Sequence, residues 1–301
     1  MNRREFVKSL SFLGATIAIS PLALSKNLIA QTTVGENAVI CNTAKTKFNK
    51  IMELARSKSW HLLPIGDIVA RVGLEFVHVP YGAGTLDANP EEEKLTVNFS
   101  ELDCVTFFEN SLGIARCIKL QRYEFDDLLA QIKFTRYRDG ILTDYSSRLH
   151  YTSDWILNNI QKGTIKDVTK EIGGIEHRFN LSFMTKNPTK YKALSQKNSD
   201  SDLLIQKIRE TEIEISQKTF HIIPSHQISR ASRNISDGDI IAIAINTDGL
   251  DYGHLGISLN RRLMHASRRA KKVIIDGSIS KYVNSNKNNI GITVLRPQET
   301  S

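Results

Sequence analysis

The chain has 301 residues, 41% of them hydrophobic and 24% charged, with a formal charge of +8. That composition belongs to a soluble globular protein of one large or two modest domains, and it excludes a repeat or low-complexity chain. Of the charge, +3 lies in residues 1–30, and the remaining +5 is enough to favour an anionic polymer or surface. No Lys/Arg stripe interleaved with aromatics is present, so nucleic acid is not an expected partner; a mildly basic solvated surface is the alternative.

The N-terminus carries Arg3-Arg4-Glu5-Phe6-Val7-Lys8 ahead of a short apolar run over residues 9–20. A basic head and a run too short to span a bilayer predict an export signal, and the Arg-Arg-x-Phe-x-Lys order is twin-arginine-like. Cleavage after Ser25 or Ala30 suits the small-residue rule; the rival is an uncleaved anchor. Residues 1–30 are expected to be this signal and 31–301 a single domain with helical insertions around 119–210. The mature protein is then exported to the periplasm or cell envelope, with no stable membrane span.

Helices are predicted over 44–57 and 64–72, the second opened by Pro64, carried by Ile65, Ile68, Val69 and Val72, and stopped at Gly73. Pro80-Tyr81-Gly82-Ala83-Gly84 reads as a loop. Residues 104–118 read as a helix too densely apolar for the surface, and so as a central one. Short helices and turns alternate through 119–190, with an aromatic and polar cluster at 145–155. Residues 191–209 read as solvated and partly helical. Residues 213–216 alternate like a half-exposed strand that 220–223 continues. Beyond Gly238, strands are expected at 240–245, 255–259, 263–266 and 273–275. Helices first and strands last predict an α+β fold with an antiparallel sheet.

Three cysteines, Cys41, Cys104 and Cys117, make an odd number in an exported chain and do not form a disulfide framework. Cys104 follows Ser100 and Asp103, either of which can cap a helix. A first-turn thiol faces unpaired backbone N–H groups and the positive end of the helix dipole. Both favour thiolate and can lower its pKa below the usual value of about 8.5. The same N–H groups suit an oxyanion. Cys117, deep in the helix, reads as core, and a buried structural thiol is also the plain alternative for Cys104.

A nucleophilic thiol needs a base. His254 opens a strand after a turn and His265 lies on the next strand, so adjacent antiparallel strands would bring the two together. Two satisfied sheet histidines are the rival. Ser153 or Asp154 can cap a helix near Trp155, whereas Arg148, His150, Tyr151 and Trp155 arriving together suit a sugar–peptide ligand, with packing as the rival. No His-Glu-x-x-His, Cys-x-x-Cys, Gly-x-Ser-x-Gly or phosphate loop is present, so no metal site or cofactor is expected.

Pro80-Tyr81-x-x-Gly84, Asp103-Cys104, Gly238-Asp239-Ile240, His254-Leu255-Gly256-Ile257 and Met264-His265-Ala266 follow the order found in NlpC-type cell-wall cysteine hydrolases, which the chain resembles. The resemblance implies a papain-like core, with the nucleophile at a helix N-terminus packed on an antiparallel sheet. It implies Cys104 as nucleophile, His254 as base, His265 as orienter and Tyr81 as a substrate-binding residue. Residues 142–159, Ser182-Phe183-Met184-Thr185 and Leu102-Asp103-Cys104-Val105-Thr106 narrow it to the N-acetylmuramoyl-L-alanine amidase-like subfamily, over roughly residues 45–297. Asp103-Cys104-Val105-Thr106 departs from the superfamily's usual Asp-Cys-Ser-Gly. The subfamily is expected to cut the amide between N-acetylmuramic acid and L-Ala in peptidoglycan or its muropeptides. Arg148, His150, Tyr151, Asp154 and Trp155 are then candidate substrate-binding residues. The alternatives are a peptidase cutting a γ-D-Glu bond and a non-catalytic wall-binding module of the same fold.

Overall fold

A computed structural model describes residues 38–87, 92–196 and 198–300, all within the unit Val34–Ser301. The expected export signal lies outside these residues. Strand β1 (Val39–Ile40) pairs in parallel with β2 (Thr96–Val97), which sets the start of α1 (Ala44–Ser57) beside the approach to the central helix. Helix α2 (Ile65–Glu75) begins where the sequence predicts but runs past Gly73. Gly73 is no stop: a Cβ there would run into the Met264 side chain, so its bareness lets α2 lie close on the sheet.

Helix α3 (Cys104–Lys119) is the axis of the molecule, with every residue from Thr106 to Ile118 buried. A helix apolar on all sides must be covered on all sides. Its cover is α2, α4 (Phe125–Arg136) and part of the sheet. Its buried glutamate is paired with a charge, and its buried Arg116 Nε donates to Gln131 Oε1 at 2.7 Å. Glu109 Oε2 accepts from Arg136 Nε at 2.8 Å, and Arg136 Nη1 donates to the Thr96 carbonyl at 2.6 Å.

The middle of the chain supplies α5 (Thr152–Gln161), β3 (Ile165–Asp167), β4 (Ile175–His177), α6 (Phe183–Lys186) and α7 (Ser199–Ser216). The strand expected at 213–216 is instead the last turn of α7. Ile208, Glu212 and Ile215 are its buried positions, a helical spacing, whereas Ile213 is exposed. Asn198 caps this helix by accepting from Ser201 N at 2.9 Å.

There follow β5 (Phe220–Pro224), α8 (Ile228–Ala231), β6 (Ile240–Ile245), β7 (Tyr252–Leu259), β8 (Arg262–Ser267), β9 (Lys272–Ser278), α9 (Ile279–Asn284) and β10 (Asn289–Pro297). Eight strands form one sheet in the order β4-β5-β10-β6-β7-β8-β9, with β3 also on β10. Every ladder in it is antiparallel. The fold is therefore α+β. Strand β10, not anticipated from the sequence, takes the interior place beside β6.

The uninterrupted Ile240–Ile245 run has a simple cause. Ile240, Ala242 and Ala244 face the main core with α2 and α3, while Ile241 and Ile243 face a second core with Ile228, Ile279 and Val283. A strand covered on both faces has no polar side to show. Ahead of it, Gly238 is left-handed at φ 81°, against the Gly66 backbone at the head of α2. Asp239 accepts from Arg296 Nε and Nη2 at 2.9 and 2.8 Å. The Gly238-Asp239-Ile240 motif thus fastens α2 and β10 to the first central strand.

Truncating one member of the buried Glu109–Arg136 pair strands the other charge. Glu109→Ala is expected to cost about 3–5 kcal/mol, measured by urea unfolding. Glu109→Leu combined with Arg136→Met should recover most of that loss, and a double variant no more stable than Glu109→Ala would show the pair is not the cause.

Candidate active site

The head of α3 is set by a reciprocal cap. Asp103 Oδ1 accepts from Thr106 N and from Thr106 Oγ1, each at 2.8 Å, and Asp103 N donates to Thr106 Oγ1 at 3.0 Å. This accounts for Thr106 two residues after the cysteine: it closes a capping box that a glycine there could not. Cys104 is the first helical residue, half-buried, and the backbone N–H groups of Cys104, Val105 and Leu255 favour its thiolate. Leu255 belongs to β7, so the sulfur lies where helix and sheet meet.

His254 is aimed by a β-bulge. The β6–β7 register passes from Ile243↔His254 to Ala244↔Tyr252, so Gly253 is the extra residue. A bulge bends its strand and redirects the next side chain. Gly256 makes the second adjustment. The Ile257↔Met264 register sets it opposite His265, and a Cβ on it would crowd the His265 Cβ at 3.1 Å. With that space open, His254 Nε2 and His265 Nδ1 approach to 2.7 Å.

The chain of groups continues to a residue the sequence reading missed. His265 is 1% exposed and its Nε2 lies 3.6 Å from Asp276 Oδ2. Asp276 also sits at a bulge, where the β8–β9 register slips between Arg262 and Met264. Gly277 N donates to Asp276 Oδ1 at 2.6 Å, which leaves Oδ2 toward the imidazole. At 3.6 Å the carboxylate is beyond hydrogen-bond distance, and its charge favours the following tautomers without fixing them. His265 keeps its proton on Nε2, its Nδ1 accepts from His254 Nε2–H, and the lone pair of His254 is left on Nδ1. Tyr282 of α9 stacks on His254, with centroids 5.7 Å apart, and meets His265 edge-on at 4.8 Å. No sequence periodicity marks Asp276 or Tyr282, although an Asp-Gly pair inside a strand is a bulge signal.

Electrostatically the site is neutral at rest, which corrects the expectation of a lowered thiol pKa. Burial, then the Asp103 carboxylate, pushes the Cys104 thiol up to about 12, against the partial relief of the three N–H groups. Burial, then His265, pushes His254 down to about 3. Burial also lowers His265, with Asp276 opposing it. The contrast is Cys41. Burial alone would raise it, but hydrogen bonds from Thr43, Phe99 and Ser100 bring it down to about 7.

Tyr81 reaches the site through the backbone. Leu102 N donates to the Pro80 carbonyl at 2.9 Å and Gly82 N to the Leu102 carbonyl at 3.1 Å, which straps the Pro-Tyr segment to the residues before Cys104. Burial raises the Tyr81 phenol, and Cys104 is the next influence on it.

Four of the expected substrate-binding residues are consumed within the chain. Arg148 is buried, donating to the Leu86 carbonyl at 3.2 Å and to Asp87, with Glu93 at 3.5 Å. Tyr151 Oη donates to Glu212 at 2.6 Å. Asp154 takes a two-pronged pair from Arg138 at 3.1 and 2.6 Å. Trp155 packs edge-on against Phe108, one helical turn below Cys104, with centroids 5.0 Å apart. His150 is half-buried and bonded to the Tyr145 carbonyl at 2.7 Å. Arg148, Tyr151 and Asp154 are thus buried with partners inside the chain, and Trp155 packs against Phe108 with its Nε1 unpartnered among the described residues. Their helix also serves the site indirectly, since Ser153 N and Oγ both donate to Asp251 at 2.7 Å, just ahead of β7.

Among the described residues no group of three or more His, Cys, Asp or Glu is placed to hold a metal, and no helix is long and apolar enough to cross a membrane. No curated protein matches the chain. Among solved structures, an N-acetylmuramoyl-L-alanine amidase from Bacteroides uniformis is 34% identical, covers 78% of this chain and 99% of its own, and superposes with a TM-score of 0.73. A Bacteroides fragilis protein provisionally named a xylanase is 37% identical, covering 75% of this chain and 99% of its own at a TM-score of 0.70. A Legionella pneumophila protein of the family DUF1460 shares the fold, with 20% identity over 85% of this chain and 95% of its own and a TM-score of 0.63. The family model described as AmiA-like, N-acetylmuramoyl-L-alanine amidase-like, matches residues 71–292, and the chain belongs to that family.

Proposed function

We propose that the protein is an exported cysteine amidase that hydrolyses the amide between N-acetylmuramic acid and L-Ala in peptidoglycan or its soluble fragments. The observation that carries it is the His254–His265 pair, backed by Asp276, on the strand whose Leu255 N–H reaches Cys104 at the head of a buried helix, in a member of the amidase-like family. The order of a first-turn cysteine followed by histidines on successive antiparallel strands also supports an NlpC-type, papain-like core. An extracytoplasmic location agrees with the family and with the twin-arginine-like N-terminus.

The reaction starts from a neutral thiol and a neutral imidazole. His254 Nδ1 takes the Cys104 proton as the sulfur attacks the lactyl carbonyl carbon, so the ion pair forms only as the C–S bond does. The N–H groups at the head of α3 and Tyr81 face the developing oxyanion. His254 returns the proton to the departing L-Ala nitrogen, the C–N bond breaks, and a thioester remains. Water then gives its proton to His254 and attacks the thioester, releasing a free lactyl carboxylate and restoring the thiol. A glycosidase reading, which the provisional xylanase name would suggest, needs two carboxylates flanking the bond. Here Asp103 is spent on the helix cap and Asp276 faces an imidazole.

Mass spectrometry of digested muropeptides should show sugar products with a free lactyl carboxyl; cleavage only at γ-D-Glu would move the reading to the peptidase alternative. Cys104→Ala should lose at least about a thousandfold in kcat, and retained activity would end the cysteine mechanism.

Asp276→Asn tests the tautomer assignment. A drop of about tenfold to a hundredfold in kcat, with KM little changed, is expected. An unchanged kcat would remove Asp276 from the line.

The base works above the pKa of the His254–His265 pair and is lost as pH falls through it. With His254 held near 3, kcat/KM should stay level from about pH 8 down to about pH 5 and fall only below that. An acid limb centred near 6.5 would show that the resting pair is not neutral.

A further inference from the structure

The β8–β9 turn carries Ser267-Arg268-Arg269-Ala270-Lys271-Lys272. Arg268, Arg269, Lys271 and Lys272 are all exposed, and none makes an ion pair among the described residues. Four like charges on one short turn repel one another, so the arrangement costs stability unless an anion completes it.

The turn is tied by backbone hydrogen bonds to the segment that leads to Cys104. Ser267↔Lys272 is its closing pair, and Ala270 N donates to Ser267 Oγ at 3.1 Å. Tyr81 N donates to the Lys271 carbonyl at 2.9 Å and Val273 N to the Val79 carbonyl at 2.8 Å, so the turn and the Pro-Tyr segment form one strap. That strap continues through Leu102 to Cys104. On the other side, the turn begins three residues after His265, about 10 Å along the strand. Arg268 acts on the Tyr81 phenol, which in turn lies within the field of Cys104. Glu101, packed against Gly82 on the same strap, makes no ion pair with the turn.

We propose that this turn is the anion-binding lip of the site, where Arg268 with its three neighbours receives a carboxylate on the peptide side of the cleaved amide and so selects acidic stem peptides over amidated ones. The proposal rests on the amidase reading. In that substrate the lactyl carboxyl is tied up in the amide and the sugar is uncharged, so the peptide carries the negative charge. Arginine matches a carboxylate with two parallel N–H donors, and lysine adds unoriented charge.

The test compares N-acetylmuramoyl-L-alanyl-D-glutamate with its diamide, in which both glutamate carboxyls are blocked, using wild type and an Arg268→Gln/Arg269→Gln variant. Wild type is expected to favour the acid about fivefold to tenfold, through KM, with the preference shrinking as salt rises. The double variant should lose the preference, with the KM for the acid rising to that for the amidated substrate, and Arg268→Lys should keep part of it. No preference in wild type, or an undiminished one in the variant, overturns the lip. Calorimetry with the free acidic and amidated stem peptides repeats the comparison without turnover. If neither substrate is cleaved, the amidase reading fails while the binding arm still decides the lip. Loss of anionic-vesicle binding in the variant, with no discrimination between peptides, overturns it in favour of a membrane-facing surface.

Discussion

A helix buried on every side can offer a reactive group only at its ends. That constraint organises this molecule. The side chains of α3 from Thr106 to Ile118 are spent on packing, with Glu109 neutralised by Arg136, so neither the helix axis nor its depth can adjust. Its N-terminal end is finished by the Asp103–Thr106 box, which satisfies donors that would otherwise compete for whatever binds there. The sheet is then fitted to that fixed point through Gly73, Gly256 and the strap from Leu102 to Pro80.

The same burial sets the electrostatics. A thiolate–imidazolium pair at rest would have to be held in a poorly solvated seam, and the cost is visible in the opposed shifts of Cys104 and His254. Backbone N–H groups repay only part of it. On the proposed mechanism, charge appears only briefly, with Asp276 at the far end to steady an imidazolium two rings away. Tyr282, stacked on His254 and edge-on to His265, packs against the pair without supplying charge.

Much of this was legible in the sequence because packing leaves periodic traces. The central helix, the doubly covered Ile240–Ile245 strand and the closeness of His254 to His265 each follow from spacing or from local chemistry. The misreadings have physical causes as well. In 213–216, two isoleucines alternate by coincidence within a helix whose buried period is set by Ile208, Glu212 and Ile215. Strand β10 was hidden by its Asn-rich approach and by the register slip near Gly291, both of which look like a turn. The 145–155 cluster has the composition of a sugar site and of a buried bracket alike, and its partners Glu212, Arg138 and Asp87 lie outside it in the sequence.

The two bulges have one more consequence. In a regular strand every side chain is tied to the parity of its neighbours, so a residue cannot turn without reversing all the others. Gly253 and the Asp276-Gly277 step each break that tie at one point. Tyr252 can stay in the core while His254 answers to the cleft, and Val273 can stay buried while Asp276 does the same. Loss of either extra residue would leave the sheet intact by composition yet force a choice between its core and its chemistry. A chain of this fold shortened by one residue at Gly253 could therefore keep its hydrophobic pattern and still have no line of groups behind its cysteine.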